Sequence, residues 1–344
     1  MRELSIVEAV REALTFEMAR DERVMVLGED VGGSGGVFRA TDGLQARFGK
    51  DRAVDMPLGE TGIIGSAVGL AISGLVPVAE MQFLGFSHNA FHQIVEHLAR
   101  FRYRSWGSLH CQVTIRAPYG GGVRAPEMHS DGFEAHFAHA PGLKIVAPST
   151  PADAYGLLLS AIRDPDPVMV LEPLRGYRLV RGEVPEGDAP EPIGVARIVR
   201  KGTDCTVISW SAAVHVVLKA AEMAEAEGVS VEVIDLRTLV PLDLDTIRAS
   251  VQKTGRALVV QEASQTGGFA AEVITSLQEH EDTFYSLKAP LARLCGPDTP
   301  YPVQMLEEGY LINAAQTLAA IRRLTTGGLV VSRTLDPLIP HANR

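Results

Sequence analysis

Residues 55–82, DMPLGETGIIGSAVGLAISGLVPVAEMQ, decide the fold. Residues 54–58 read as a short strand and turn, after which Ile63, Ile64, Ala67, Val68, Ala71 and Ile72 recur with helical spacing. Residues 76–81 read as the next strand, and Glu60 falls where the intervening helix opens, beyond the carboxyl end of the first strand, the usual ligand edge of a parallel sheet. Its carboxylate has two readings. One is a cap, stabilised by free amides and the positive helix end. The other is a buried acid that binds one nitrogen of a heterocycle. The same helix carries Gly62, Gly65 and Gly69, each costing about 1 kcal/mol against alanine. They need a packing reason: a close backbone contact across a subunit or domain boundary, or a tight crossing within the chain.

Around this stretch lies a chain of 344 residues with 46% hydrophobic content, enough for two ordinary cores. The net charge of -10 and the dispersed arginines, apart from FRYR at residues 101–104, argue against a nucleic-acid groove and an anionic membrane. Cys111, Cys205 and Cys295 form no CxxC site and are odd in number, which suits a reducing compartment with each thiol filling core space. Met1 leads directly into RELSIVEAV with no apolar signal segment, so a cytoplasmic chain is expected. No uninterrupted apolar span is long enough for a membrane helix, and 70–81 is broken by Gly74 and Pro77.

Taken in order, Ser5 and Glu8 make a capping box for an amphipathic helix over 5–20. A buried strand at 24–27 runs into Gly28, Glu29 and Asp30, then GGSGG at 32–36. That glycine run matches neither GxxxxGK[ST] nor a helix-opening GxGxxG, so a mobile or tightly turning surface loop is expected rather than a phosphate loop. Phe86 follows the strand at 76–81, where a ring can lie against a flat ligand or simply fill core. His88, His92 and His97 form no HExxH, and His129, His136 and His139 with Glu127, Asp131 and Glu134 fit no ligand spacing, so no divalent site is expected there. His129 itself, on a loop, either moves protons near neutral pH or faces solvent. Thr150, Pro151 and Asp153 are a strong helix start, and DPDP at 164–167 ends that helix before a strand at 168–171. Residues 172–192 have no periodicity and are read as the domain boundary. Strands at 206–209, 229–234, 257–261 and 289–294 then alternate with helices at 212–227, 244–253, 269–278 and 313–324. The expected fold class is α/β, with two three-layer domains built on mostly parallel sheets.

As far as Leu324 the chain resembles the beta subunit of the thiamine-diphosphate-dependent first component (E1) of 2-oxo acid dehydrogenase complexes. The resemblance rests on GEDVGGSGGVFRATDGLQARFG, DMPLGETGIIGSAVGLAISGLVPVAEMQF, RYRS, GGGVR, HSDGFEAHFAHAPGLKIVAPSTPADAYGLL, AIRDPDPV, EVIDLRTLVPLD, QEASQTGGFAAEV and DTPYP, in that order. It implies a pyrimidine-binding domain of transketolase-like type over 1–190, a transketolase C-terminal-like domain over 191–325, and a tail at 326–344. It implies that Glu60 faces N1′ of the aminopyrimidine, that Phe86 lies against that ring, and that Leu58 and Gln82 line the same pocket. His129 matches the histidine of an HSQS motif, which is thought to steer protons or the lipoyl group. Here the motif reads HSDG, with Asp131 and Gly132 in place of glutamine and serine.

Val113, Ala161, Ile162, Asp164 and Asp166 align with a potassium (K+) site found in some members. A helix C-terminus offers carbonyls suited to such an ion, although Asp164 and Asp166 also read as turn residues beside prolines. Members of this group hold the diphosphate through magnesium (Mg2+) with a GDG sequence, which is absent here. The resemblance therefore implies an alpha subunit that supplies those contacts in an alpha2-beta2 heterotetramer, and a lipoyl-bearing E2 acyltransferase as acceptor. Its expected reaction is oxidative decarboxylation of pyruvate or a branched-chain 2-oxo acid. The alternatives are an acetoin-cleaving or split transketolase-like enzyme, and a scaffold subunit without catalysis.

Overall fold

The structure, a computed structural model, describes residues 1–328 and Val330, so most of the expected tail at 326–344 lies outside the described residues. The chain divides into two compact units. One holds Met1–Tyr119, His136–Ile193 and Leu239–Pro241. The other holds Gly120–Ala135, Gly194–Thr238 and the residues described from Leu242 onward.

The first unit contains β1 (Arg2–Ser5), β2 (Val24–Gly28), β3 (Ala53–Asp55), β4 (Val76–Glu80), β5 (Thr114–Tyr119), β6 (Lys144–Val146), β7 (Val168–Pro173) and β8 (Arg181–Val184). Its main sheet has seven strands, in the order Thr238–Val240, β6, β7, β5, β4, β2, β3. Every pairing from β6 to β3 is parallel. The residues of β2, β4, β5 and β7 are all buried, as a sheet covered on both faces requires. Helix Ile6–Arg20 opens on the expected capping box, Ser5 N–H donating to Glu8 Oε2 at 2.7 Å. Helix Pro151–Arg163 opens on Thr150, whose Oγ1 accepts from Asp153 N–H at 3.1 Å. The boundary run, read as lacking periodicity, contains β8, which pairs antiparallel with β1. Both strands have only four residues of mixed exposure, too short for a period of two to register.

A buried ionic triad lies across the carboxyl half of this sheet. Arg116 on β5 donates from Nε and Nη2 to the two oxygens of Glu172 on β7 (2.7 and 2.8 Å) and from Nη1 to Glu80 on β4 (2.5 Å). Burial pushes the Glu80 carboxyl up, and the Arg116 charge draws it back. The Tyr177 hydroxyl donates to Glu172. From Tyr177 a ladder of edge-on rings runs to Phe38, Phe83 and Phe86, with successive centroids 5.4, 5.4 and 5.3 Å apart.

The second unit contains β9 (Arg197–Arg200), β10 (Cys205–Ser209), β11 (Val231–Asp235), β13 (Ala257–Ser264) and β14 (Ala292–Gly296), while β12 (Thr238–Val240) is the strand of the first sheet already described. The order is β14, β13, β10, β11, β9, parallel except for the antiparallel edge strand β9. Helices Ala213–Glu225 and Ala314–Thr325 contribute Val217, Ala221, Leu318 and Ile321 to its core. All three cysteines are buried, and burial pushes each thiol up to about 12. No helix among the described residues is long and apolar enough to cross a membrane.

Candidate active site

The carboxyl ends of β2, β3 and β4 place Leu58, Glu60, Gln82 and Phe86 along one edge of the first sheet. Asp55 ends β3 and accepts the Gly32 N–H at 2.6 Å, tying the GGSGG loop to that edge. A side chain at Gly32 would lie 2.2 Å from Gln45 Nε2, so the glycine is required by a close approach and the loop is a packed turn.

Glu60 opens helix Glu60–Ile72 and is only 6% exposed. Asn89 Nδ2 donates to its Oε2 at 3.2 Å, and the hydroxyl of Thr61 donates to the Asn89 carbonyl, locking the two segments together. Oε1 of Glu60 has no hydrogen-bond partner among the described residues. Beside it Glu29, also buried, accepts the Gly59 N–H at 3.2 Å. Burial pushes the Glu29 carboxyl up, partly offset by that N–H, and the charges of Glu60 and Asp30 add to the rise. Two carboxyls thus share one helix start. Gln82 lies 3.5 Å from Asp30 through its Nε2, half-buried Phe86 closes the aromatic ladder, and Leu58 is 86% exposed. Glu29 and Asn89 were not singled out from the sequence. Glu29 sits at a strand end, a position that signals a ligand edge, but Asn89 lies in a 3-10 turn with no pattern of its own.

The glycine stripe has almost no close neighbour among the described residues. A Cβ at Gly62 or Gly69 would have no described atom within 4 Å, and one at Gly65 would only graze Gln93 at 3.9 Å. A tight intrachain crossing is therefore not what these glycines serve among the described residues.

His129 belongs to the second unit, on the segment Gly120–Ala135. Its Nδ1 lies 2.8 Å from the Glu127 carbonyl. Asp131 is pushed up by burial and by Glu127, with His129 pulling it down. In the first unit, His88 Nε2 and His136 Nδ1 lie 3.2 Å apart. Among the described residues no group of three or more His, Cys, Asp or Glu side chains could hold a metal ion.

Val113, Ala161, Ile162, Asp164 and Asp166 gather at the opposite edge of the first sheet, before β5 and β7. The Val113 carbonyl accepts from Val168 N–H at 3.1 Å and the Ile162 carbonyl from Gln112 Nε2 at 2.7 Å. Lys144 pairs with Asp164 and Arg102 with Asp166, each at 2.6 Å. The carboxylates already face cations, so the oxygens left for an ion are main-chain ones.

In the second unit Glu134 is 1% exposed, and its Oε2 has no hydrogen-bond partner among the described residues. Burial pushes its carboxyl up to about 7, with Glu262 adding to the rise. The unfolded chain loses this proton near 4.5, so the fold retains a proton that the unfolded chain releases between 4.5 and 7. Stability therefore falls as pH rises across that window and levels off above it, at a cost of about 3 kcal/mol. Glu134→Gln should flatten this slope and raise the urea midpoint at pH 8 relative to pH 5.5; an unchanged slope would place the raised proton affinity elsewhere.

The first unit thus holds a buried acid at the carboxyl edge of a parallel sheet, and a second α/β unit follows it in the chain. The family model "Transketolase, pyrimidine binding domain" matches residues 2–179, and "Transketolase, C-terminal domain" matches residues 194–317. A solved split-gene transketolase, an inactive beta4 tetramer, shares the fold with a TM-score of 0.78 at 24% identity, covering 95% of this chain and 99% of that one. The pyruvate dehydrogenase E1 component subunit beta of Bacillus subtilis is 49% identical over 94% of this chain and 99% of its own length. Those of Staphylococcus epidermidis and Staphylococcus aureus are 51% and 50% identical over 91% of this chain and 96% of theirs. The chain belongs to the family of pyruvate dehydrogenase E1 beta subunits.

Proposed function

We propose that this chain is the pyrimidine-binding half of a pyruvate-decarboxylating E1 enzyme, acting with an alpha subunit in an alpha2-beta2 heterotetramer. The observation that carries the reading is Glu60, buried and oriented through Oε2 by Asn89 while Oε1 has no partner among the described residues. Such an oxygen suits a ring nitrogen that carries or shares a proton, so the residues present fit the aminopyrimidine of thiamine diphosphate. When bound, that cofactor supplies the electron sink that decarboxylation of a 2-oxo acid needs. The work of this chain is to hold a proton at N1′ from Glu60, to lay Phe86 against the ring with Leu58 and Gln82 beside it, and to keep water out. Mg2+ and the diphosphate fall to the alpha subunit, since the GDG sequence is missing. The unmatched glycine stripe of helix Glu60–Ile72 is the surface we assign to a partner's backbone.

In this reading residues 1–190 and 191–325 act as pyrimidine-binding and C-terminal domains. His129 delivers the proton when the acyl unit passes to the lipoyl group of an E2 acyltransferase. The carbonyls of Val113, Ala161 and Ile162, beside Asp164 and Asp166, hold K+. Pyruvate is preferred over branched-chain 2-oxo acids and acetoin because the relatives are pyruvate enzymes.

The test is to purify the chain with its partner subunit and offer pyruvate, branched 2-oxo acids and acetoin. Pyruvate should give the highest kcat/KM; a preference for acetoin would replace this reading with an acetoin-cleaving enzyme. In the same complex His129→Ala should lower lipoyl acylation by about a hundredfold or more while decarboxylation with an artificial acceptor falls far less. Equal losses in both assays would remove His129 from acyl transfer.

A further inference from the structure

The segment Gly120–Ala135 is held at its beginning by two carboxylates of its own unit. Glu262, at the end of β13, accepts the Gly121 N–H at 2.5 Å. Glu307, only 3% exposed, accepts the Gly122 N–H through Oε2 at 2.9 Å and the Arg124 N–H through Oε1 at 3.1 Å. The Tyr301 hydroxyl donates to the same Oε2 at 3.0 Å, and the Arg124 guanidinium reaches Glu308 at 2.6 Å. Gly121 admits this arrangement because any side chain there would collide with Tyr301, whose hydroxyl lies 1.5 Å from where a Cβ would be.

These contacts hold a segment that would otherwise relax. Arg124 and Met128 both adopt left-handed backbone, with φ of 53° and 70°, a conformation that costs energy in any residue carrying a side chain. His129 follows Met128 directly, so the direction of its ring depends on that backbone being kept. Hydrogen bonds from N–H groups to buried carboxylates are among the stronger ones a chain can make, and Glu307 spends both oxygens on them.

We propose that Glu307, with Glu262 beside it, is a positioning residue that fixes the loop carrying His129 for acyl transfer. The inference rests on the reading of His129 given above. Glu307 acts through the backbone of residues 122–124.

The test compares Glu307→Ala, Glu307→Gln and His129→Ala in the purified two-subunit enzyme, with pyruvate and either an artificial acceptor or a lipoyl domain. Glu307→Ala should lower kcat for lipoyl acylation by about ten- to a hundredfold, the scale expected for a misplaced group, and leave decarboxylation within about twofold. Glu307→Gln keeps one accepting oxygen and should recover part of the loss. Trypsin should cut after Arg124 faster in the Glu307→Ala enzyme than in the wild type. Glu307→Ala activity equal to wild type while His129→Ala loses acylation would overturn the clamp and leave the His129 reading intact. Equal losses in both assays would mark a merely structural role and overturn it as well. Unchanged acylation in His129→Ala would defeat the His129 reading, and the proposed purpose of the clamp with it. Should Glu307→Ala fail to fold, Tyr301→Phe removes the hydroxyl that steadies Glu307 while keeping the ring; it should show the same selective loss on a smaller scale, and wild-type behaviour would refute the proposal.

Discussion

Glu60→Gln should abolish turnover of pyruvate by the assembled enzyme, by about a hundred- to ten-thousandfold in kcat, while the fold and its melting temperature are retained. Glutamine has the same shape and can still accept the Asn89 Nδ2 hydrogen bond through its remaining oxygen. What it loses is the second acceptor. The position of Oε1, which no described group occupies, would carry an NH2 that can only donate, and a ring nitrogen holding a proton would meet a donor. Because the helix start has only Gly59 before it and no capping side chain, the loss is not one of helix stability. Normal turnover in Glu60→Gln would mean that the carboxylate is a cap after all.

Arg116→Met should lower unfolding free energy by about 3–5 kcal/mol, the cost of leaving buried carboxylates without their cation. Methionine roughly fills the space of the arginine stem but leaves Glu80 and Glu172 facing each other across β4, β5 and β7. Of the two, Glu80 is already pushed up by burial, so in the variant its protonation should become the easier way to relieve the repulsion, and the variant should regain stability as pH falls toward the carboxylate range. The consequence reaches the site. Glu80 ends the strand that leads to Gln82 and Phe86, and the rings of Tyr177, Phe38 and Phe83 connect the triad to Phe86. Urea denaturation at pH 7.5 and pH 5 measures both effects; a wild-type midpoint at pH 7.5 would show that the triad contributes no stability.

The parallel sheets were legible because their strands are short continuous apolar runs separated by strongly marked helices. The Ser5 and Glu8 capping box and the Thr150 cap stand where the sequence puts them. Strands β1, β8 and β9 were not legible, since four residues with mixed exposure carry no usable period. The position of Glu60 at a helix start could be read from spacing, but its two readings could not be separated there. Asn89, which orients the carboxylate, reaches Glu60 from 29 residues away and leaves no mark in that spacing. Likewise the three glycines of helix Glu60–Ile72 announced a close contact without saying with what. The empty space around Gly62 and Gly69 shows that no tight crossing on them occurs among the described residues. The clamp on Gly120–Ala135 was invisible for the same reason: Glu262 and Glu307 are 141 and 185 residues from the amides they hold.

The claim on which the rest depends is that this chain brings one buried acid to a pyrimidine whose diphosphate is held elsewhere. A crystal structure of the two-subunit complex with thiamine diphosphate measures it directly. The Glu60 carboxylate is predicted to lie within hydrogen-bond reach of N1′, at about 2.6–3.2 Å, with Phe86 against the ring and the diphosphate on the partner subunit. A Glu60 turned away from the ring, or a diphosphate held by this chain alone, would contradict it.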